Sequence, residues 1–105
     1  MRPKLVAAAA ASLAALAIAG PAAAGNAADP GAAVFAKAGC VACHTLKAAG
    51  AKGAVGPNLD KVKPSAKLVT ERVTKGKGIM PSFKGKLSSK DIAAVAAYVS
   101  KVAGK

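Results

Sequence analysis

The chain has 105 residues, with 16 Lys and Arg against 4 Asp and Glu, one His, two Cys and no Trp. That length bounds it at one small domain. A formal net charge of +12 speaks about solubility and partners rather than fold. Its lysines are scattered through every segment and aromatic side chains number only three, which argues against a nucleic-acid binder that stacks bases.

Residues 1–4 form a short positive start, residues 5–20 an uncharged Ala- and Leu-rich run, and Pro21 breaks it. Ala22 and Ala24 follow at the one-apart spacing of small residues that a signal peptidase reads. This order predicts a cleavable secretory leader over residues 1–24 and export of a domain over residues 25–105, to the periplasm or the outer face of the cytoplasmic membrane. The alternative, a membrane anchor, would reach only about 24 Å as a helix, short of the hydrocarbon core. Without Arg2 and Lys4 the domain keeps 14 basic and 4 acidic residues, a net charge of +10. An 81-residue core is marginal unless a disulfide, metal or cofactor supports it.

Asp29-Pro30 predicts a helix start, an acidic N-cap followed by proline at the first helical position. The segment GAAVFAK continues it, and Gly39 closes it just before the cysteines. Between residues 48 and 64, Gly50, Gly53, Gly56, Pro57 and Pro64 punctuate the chain without a sustained period, which reads as ordered loop. A helix of about ten residues starts near Ser65, with Leu68, Val69, Arg72 and Val73 on one face and Gly76 as its stop. In the last segment, Ser88 to Asp91 fits a capping box with Leu87 as a staple onto Ile92, and Ile92, Val95, Ala96, Val99 and Val102 recur at helical spacing. No segment alternates as a strand should. The fold class is therefore all-α, three main helices joined by long loops, and such loops need something to pack on.

Cys40, Cys43 and His44 stand in the stretch AGCVACHTL. Zinc would need about four ligands, and no second cluster exists. A thioredoxin-like dithiol belongs in a βαβ setting, for which strands are missing. A disulfide would close a loop of two residues and constrain little. C-x-x-C-H as a haem attachment motif uses all three residues: the thiols bond the two vinyl groups and the imidazole supplies an axial nitrogen. The domain's one methionine, Met80, lies in GIMPSF, and a thioether opposite an imidazole raises the reduction potential and closes the iron. That combination predicts a one-electron carrier and not an enzyme. The alternatives are a haem sensor or ligand-binding protein with a labile Met80, and a thiol oxidoreductase using the cysteine pair.

Four stretches in order, GAAVFAKAGCVACH, VGPNL, MPSF and the terminal helix with AAYV, make the chain resemble the class I c-type cytochromes over about residues 31–102. The resemblance implies a cytochrome c-like fold wrapped around one covalent haem c. Gly31, Phe35 and Tyr98 would form the crossing of first and last helices. The Pro57 carbonyl would accept the His44 ring N–H, Leu59 would pack on the haem face, and Met80 would ligate the iron. With no Trp, and Tyr98 as the only tyrosine, the propionate partners are left to backbone N–H groups, Asn58 or a lysine. Lys47, Lys52, Lys84 and Lys86 would border the exposed haem edge, steering a monomeric carrier to acidic docking faces on an oxidase, reductase or dehydrogenase, with transient membrane-protein contacts.

Overall fold

A computed structural model describes residues 29–105, so the expected leader and its cleavage position lie outside the described residues. Helix α1 (Pro30–Lys37) begins at Asp29, whose carboxylate accepts from the Gly31 N–H at 2.9 Å with Pro30 at the first turn. A 3-10 turn over Cys40–Ala42 follows directly. Two strands, β1 (Thr45–Leu46) and β2 (Ala51–Lys52), pair antiparallel with Thr45 opposite Lys52 and Leu46 opposite Ala51. A second 3-10 turn, Lys47–Ala49, joins them.

Helix α2 (Leu59–Val62) is a single turn capped by Asn58, and α3 (Ala66–Lys75) is capped by Ser65, whose hydroxyl accepts from the Leu68 N–H at 3.1 Å. Helix α4 (Ser89–Val102) starts where Ser88 Oγ accepts from the Asp91 N–H at 3.0 Å. The three expected helices are present with the caps that the sequence implied. The ordered loop expected between residues 48 and 64 also contains the second strand of a minimal hairpin and a helical turn. Elements of two to four residues are too short to show a hydrophobic period.

The core sits where α4 crosses α1 and α3. Phe35, Leu46, Val95 and Val99 are its largest fully buried side chains, joined by Val34, Val73, Ile92 and Tyr98. Phe35 and Tyr98 meet edge to face, ring centroids 6.1 Å apart at 61°, a favoured aromatic geometry. Lys101 reaches Asp29 at 3.0 Å and Lys37 reaches Asp91 at 3.5 Å, so each end of α1 is tied to the opposite end of α4. Both pairs are exposed and add little stability; they fix the sense of the crossing.

Gly31 makes that crossing possible. A β-carbon there would run into the Ala94 carbonyl and the Tyr98 Cβ, both part of rigid α4. Replacing Gly31 with Ala should therefore force the helices apart and cost about 1–3 kcal/mol. Chemical denaturation of the holoprotein measures it, and an unchanged midpoint would show that the crossing has slack.

Candidate functional site

The short 3-10 turn is the local device that presents the cysteines. With about three residues per turn, positions i and i+3 lie one above the other, so Cys40 and Cys43 emerge on the same side. The Cys40 carbonyl accepts from both the Cys43 and His44 N–H groups, at 3.2 and 3.1 Å, which leads the chain straight into the histidine. The two cysteines are not joined in a disulfide; Cys40 is half-buried and Cys43 exposed. Burial raises the Cys40 pKa above the usual thiol value. A reactive thiol of a dithiol enzyme needs the opposite shift.

His44 is oriented by the loop that follows β2. Its Nδ1 lies 2.8 Å from the Pro57 carbonyl oxygen. A carbonyl only accepts, so Nδ1 carries the proton and Nε2 keeps its lone pair free for a metal. The loop is fastened in register: Gly53 N–H donates to the His44 carbonyl at 3.1 Å, Gly56 N–H to the Cys43 carbonyl at 2.6 Å, and the Thr45 hydroxyl to the Gly53 carbonyl at 2.8 Å.

Met80 is delivered from the other half of the chain. Lys77 and Met80 exchange both backbone hydrogen bonds at 3.0 Å, closing a tight turn. The segment beyond is latched to the end of α3 by Phe83 N–H to the Val73 carbonyl at 2.8 Å and Ser82 Oγ to the Thr74 carbonyl at 2.6 Å.

Cys40, Cys43, His44, Pro57, Leu59 and Met80 all line one cavity of about 610 Å³. Its remaining wall is mostly apolar, with Leu68, Val69 and Val73 from α3 and Val95 and Val99 from α4. Two thiols on one side of a turn, an imidazole with a free Nε2, a thioether and an oily wall suit a covalently held haem. Two cationic residues, Arg72 and Lys77, belong to the lining as well. Their role went unread in the sequence, although Arg72 stands one helical turn after Leu68 on the apolar face of α3, a position where a charge needs a reason.

Asn58 is occupied as the cap of α2, its side chain accepting from the Asp60 and Lys61 N–H groups, and it is not among the residues that line the cavity. Lys47, Lys52, Lys84 and Lys86 are exposed and lie outside that lining. Lys84 borders a separate small hollow with Thr70 and Leu87.

A family model described as cytochrome c oxidase, cbb3-type, subunit III matches residues 26–99. The chain belongs to the class I c-type cytochromes. Cytochrome c6 of Picosynechococcus sp. is 43% identical over 81 residues, covering 67% of this chain and 68% of that protein. Cytochrome c6 of Microcystis aeruginosa is 42% identical over 77 residues, 66% of this chain and 89% of its own. Among solved structures, the c-type cytochrome SorU from Sinorhizobium meliloti superposes with a TM-score of 0.69 at 48% identity, covering 72% of this chain and 90% of that one. The cytochrome c-like fold and covalently attached haem c follow, and the cytochromes c6 that the chain resembles belong to a family of electron carriers rather than enzymes.

One carboxylate braces the site from behind. Asp60, beside the cavity residue Leu59, accepts from the Gly104 N–H and the Lys47 N–H, each at 2.8 Å. These backbone donors, Gly104 first and then Lys47, hold its pKa below the usual carboxylate value. The unfolded chain, with an ordinary Asp, takes up the proton first as pH falls. Stability from this clamp is therefore present above the unfolded pKa and lost as pH drops through the lower folded one. The denaturation midpoint should fall on acidification below about pH 4. Asp60→Asn should flatten that dependence while lowering the midpoint at neutral pH, and parallel acid profiles for the two proteins would contradict it.

Proposed function

We propose that this cytochrome is an exported one-electron carrier whose haem is held by Cys40 and Cys43 and ligated by His44 and Met80. The observation that carries the reading is the convergence of both thiols, His44 and Met80 on one apolar cavity. Each thiol adds across a vinyl group, sulfur to one carbon and hydrogen to the other, with no net oxidation. The bound group supplies a reversible ferric–ferrous couple. The rest is the work of this chain. The Pro57 carbonyl holds Nδ1–H and so aims Nε2, a partner that increases ligand basicity. The closed turn at Lys77 and Met80 limits movement of the thioether, and the walls of α3 and α4 exclude water. Arg72 and Lys77, as the cations in the lining, are the proposed partners of the propionates in place of Asn58.

The charge balance supports a docking role. Asp29, Asp91 and Glu71 are each paired with a Lys or Arg, and both Asp60 oxygens accept from backbone. The positive excess comes from the count, fourteen basic against four acidic residues over residues 25–105, and favours an acidic face on a redox partner and a weak, fast encounter. The description of the matched family model places an oxidase among the partner types to try. Near the cavity, Ile79 is 81% exposed and Val55 62%, an apolar rim that a partner would cover.

The deciding experiment is an intact mass of denatured protein together with a visible spectrum. Haem mass retained after denaturation and a low-spin spectrum indifferent to carbon monoxide are expected. Met80→Ala should bind carbon monoxide rapidly in the ferrous state and lower the potential. Colourless peptide would end the haem reading, and rapid carbon monoxide binding by the unaltered protein would favour the sensor.

Docking has its own test. Ile79→Ser should weaken binding to the redox partner by about 1 kcal/mol, roughly five-fold in Kd. Electron transfer to that partner should slow as salt shortens the screening length. Rates independent of ionic strength would remove charge steering.

A further inference from the structure

The loop that holds His44 touches its ring in two ways, and only one is a hydrogen bond. Gly56, the residue before Pro57, lies flat against the same edge of the imidazole. A β-carbon at Gly56 would stand 2.8 Å from His44 Cε1, 3.0 Å from Nδ1 and 3.3 Å from the Cys43 carbonyl oxygen. Carbon atoms in good contact sit at about 3.5–4.0 Å, so any side chain here forces something to move. The glycine is not there for its backbone freedom, because Gly56 is not among the residues of positive φ.

What would move is decided by how the loop is fastened. Gly56 N–H donates to the Cys43 carbonyl at 2.6 Å, one residue from His44 itself, and Gly53 N–H donates to the His44 carbonyl at 3.1 Å. The Thr45 hydroxyl adds a third tie, to the Gly53 carbonyl. The loop is thus pinned to the backbone on either side of the histidine. The ring, attached by its own rotatable bonds, is the freer partner.

Resting on the proposed ligation by His44, we propose that Gly56 is a positioning residue. By having no side chain, it sets the plane of the imidazole and how close Nδ1 comes to the Pro57 carbonyl. The Nδ1–H···O=C bond gives the ring partial anionic character and favours the ferric state. A ring turned or pushed off that carbonyl donates less to the metal, and the reduction potential rises.

The test compares Gly56→Ala with Gly50→Ala in the holoprotein. Gly50 lies in the preceding turn at φ 66°, where a β-carbon meets nothing within 4 Å. Its alanine variant strains the backbone without touching the ring. Gly56→Ala should raise the potential and change the ferric EPR anisotropy and haem-methyl NMR shifts, which report the axial imidazole plane. Gly50→Ala should lower the unfolding midpoint and leave all three unaltered. The proposal is overturned if Gly56→Ala keeps the parental potential and spectra, or if Gly50→Ala shifts them equally, since general loosening would then suffice. Should Gly56→Ala not accumulate, an NOE between the Gly56 α-protons and His44 Hε1 in the unaltered ferrous protein supports the contact, and its absence overturns it. Failure of the underlying reading looks different: the unaltered protein would itself show no histidine-ligated low-spin haem.

Discussion

The hydrogen bond from His44 Nδ1 to the Pro57 carbonyl is the constraint on which the rest of the site depends. At 2.8 Å it selects one tautomer of the only histidine and leaves Nε2 for the cavity. It also decides the path of the chain. For Pro57 to reach the ring, residues 53–56 must fold back over the Cys40–His44 turn, which they do with two amide donors to the carbonyls of Cys43 and His44. Once Pro57 is fixed, Asn58 caps α2, Leu59 faces the cavity and Asp60 reaches back to Lys47 and forward to Gly104. A chain of local consequences runs from one ring nitrogen to the C-terminal end of α4.

The packing has a matching asymmetry. On one side of α4, Phe35 and Tyr98 close the crossing with α1, where Gly31 lets backbone approach backbone. On the adjoining face of the same helix, the core residues Val95 and Val99 also form part of the cavity wall together with Val73 of α3. The helix thus serves both as ordinary core and as cofactor wall. A small domain has little apolar surface to spare, so a cavity of about 610 Å³ ties the stability of α3 and α4 to the group the family carries. Binding to the folded state alone stabilises it by mass action, and a covalent link removes the concentration dependence. This is how roughly eighty residues with long loops hold a defined shape.

How much of this was legible in the sequence follows from the range of each interaction. The helix starts at Asp29, Ser65 and Ser88 are two- to three-residue events, and each cap appears where the residue type implied it. The C-x-x-C-H spacing was equally local, because it encodes one turn. The hairpin Thr45–Leu46 with Ala51–Lys52 was not legible. Two-residue strands have no alternation to read, and their pairing follows from the way the loop returns to His44. The cavity-facing half of α4 was hidden for a related reason: the helical period marks Val95 and Val99 as buried without saying against what. Lys47, Lys52, Lys84 and Lys86 are exposed and outside the cavity lining, whereas the part of Arg72 and Lys77 in that lining was not legible, because sequence spacing marks a face without saying what the face encloses.

Position relative to the cavity separates two groups of cations that a count of charges merges. Arg72 and Lys77 belong to the cavity lining, and Arg72 is half-buried while Lys77 is exposed; the less a charge is screened by water, the larger its effect on a neighbouring couple. The remaining cations are spread over the exterior, where screening reduces each to a contribution to the long-range field. Four acidic side chains, Asp29, Asp60, Glu71 and Asp91, stand against fourteen basic ones over residues 25–105, too few to cancel that field. Tuning of the couple and attraction of a partner therefore reside in different side chains. A carrier that must keep its potential while changing its customers is well served by that division.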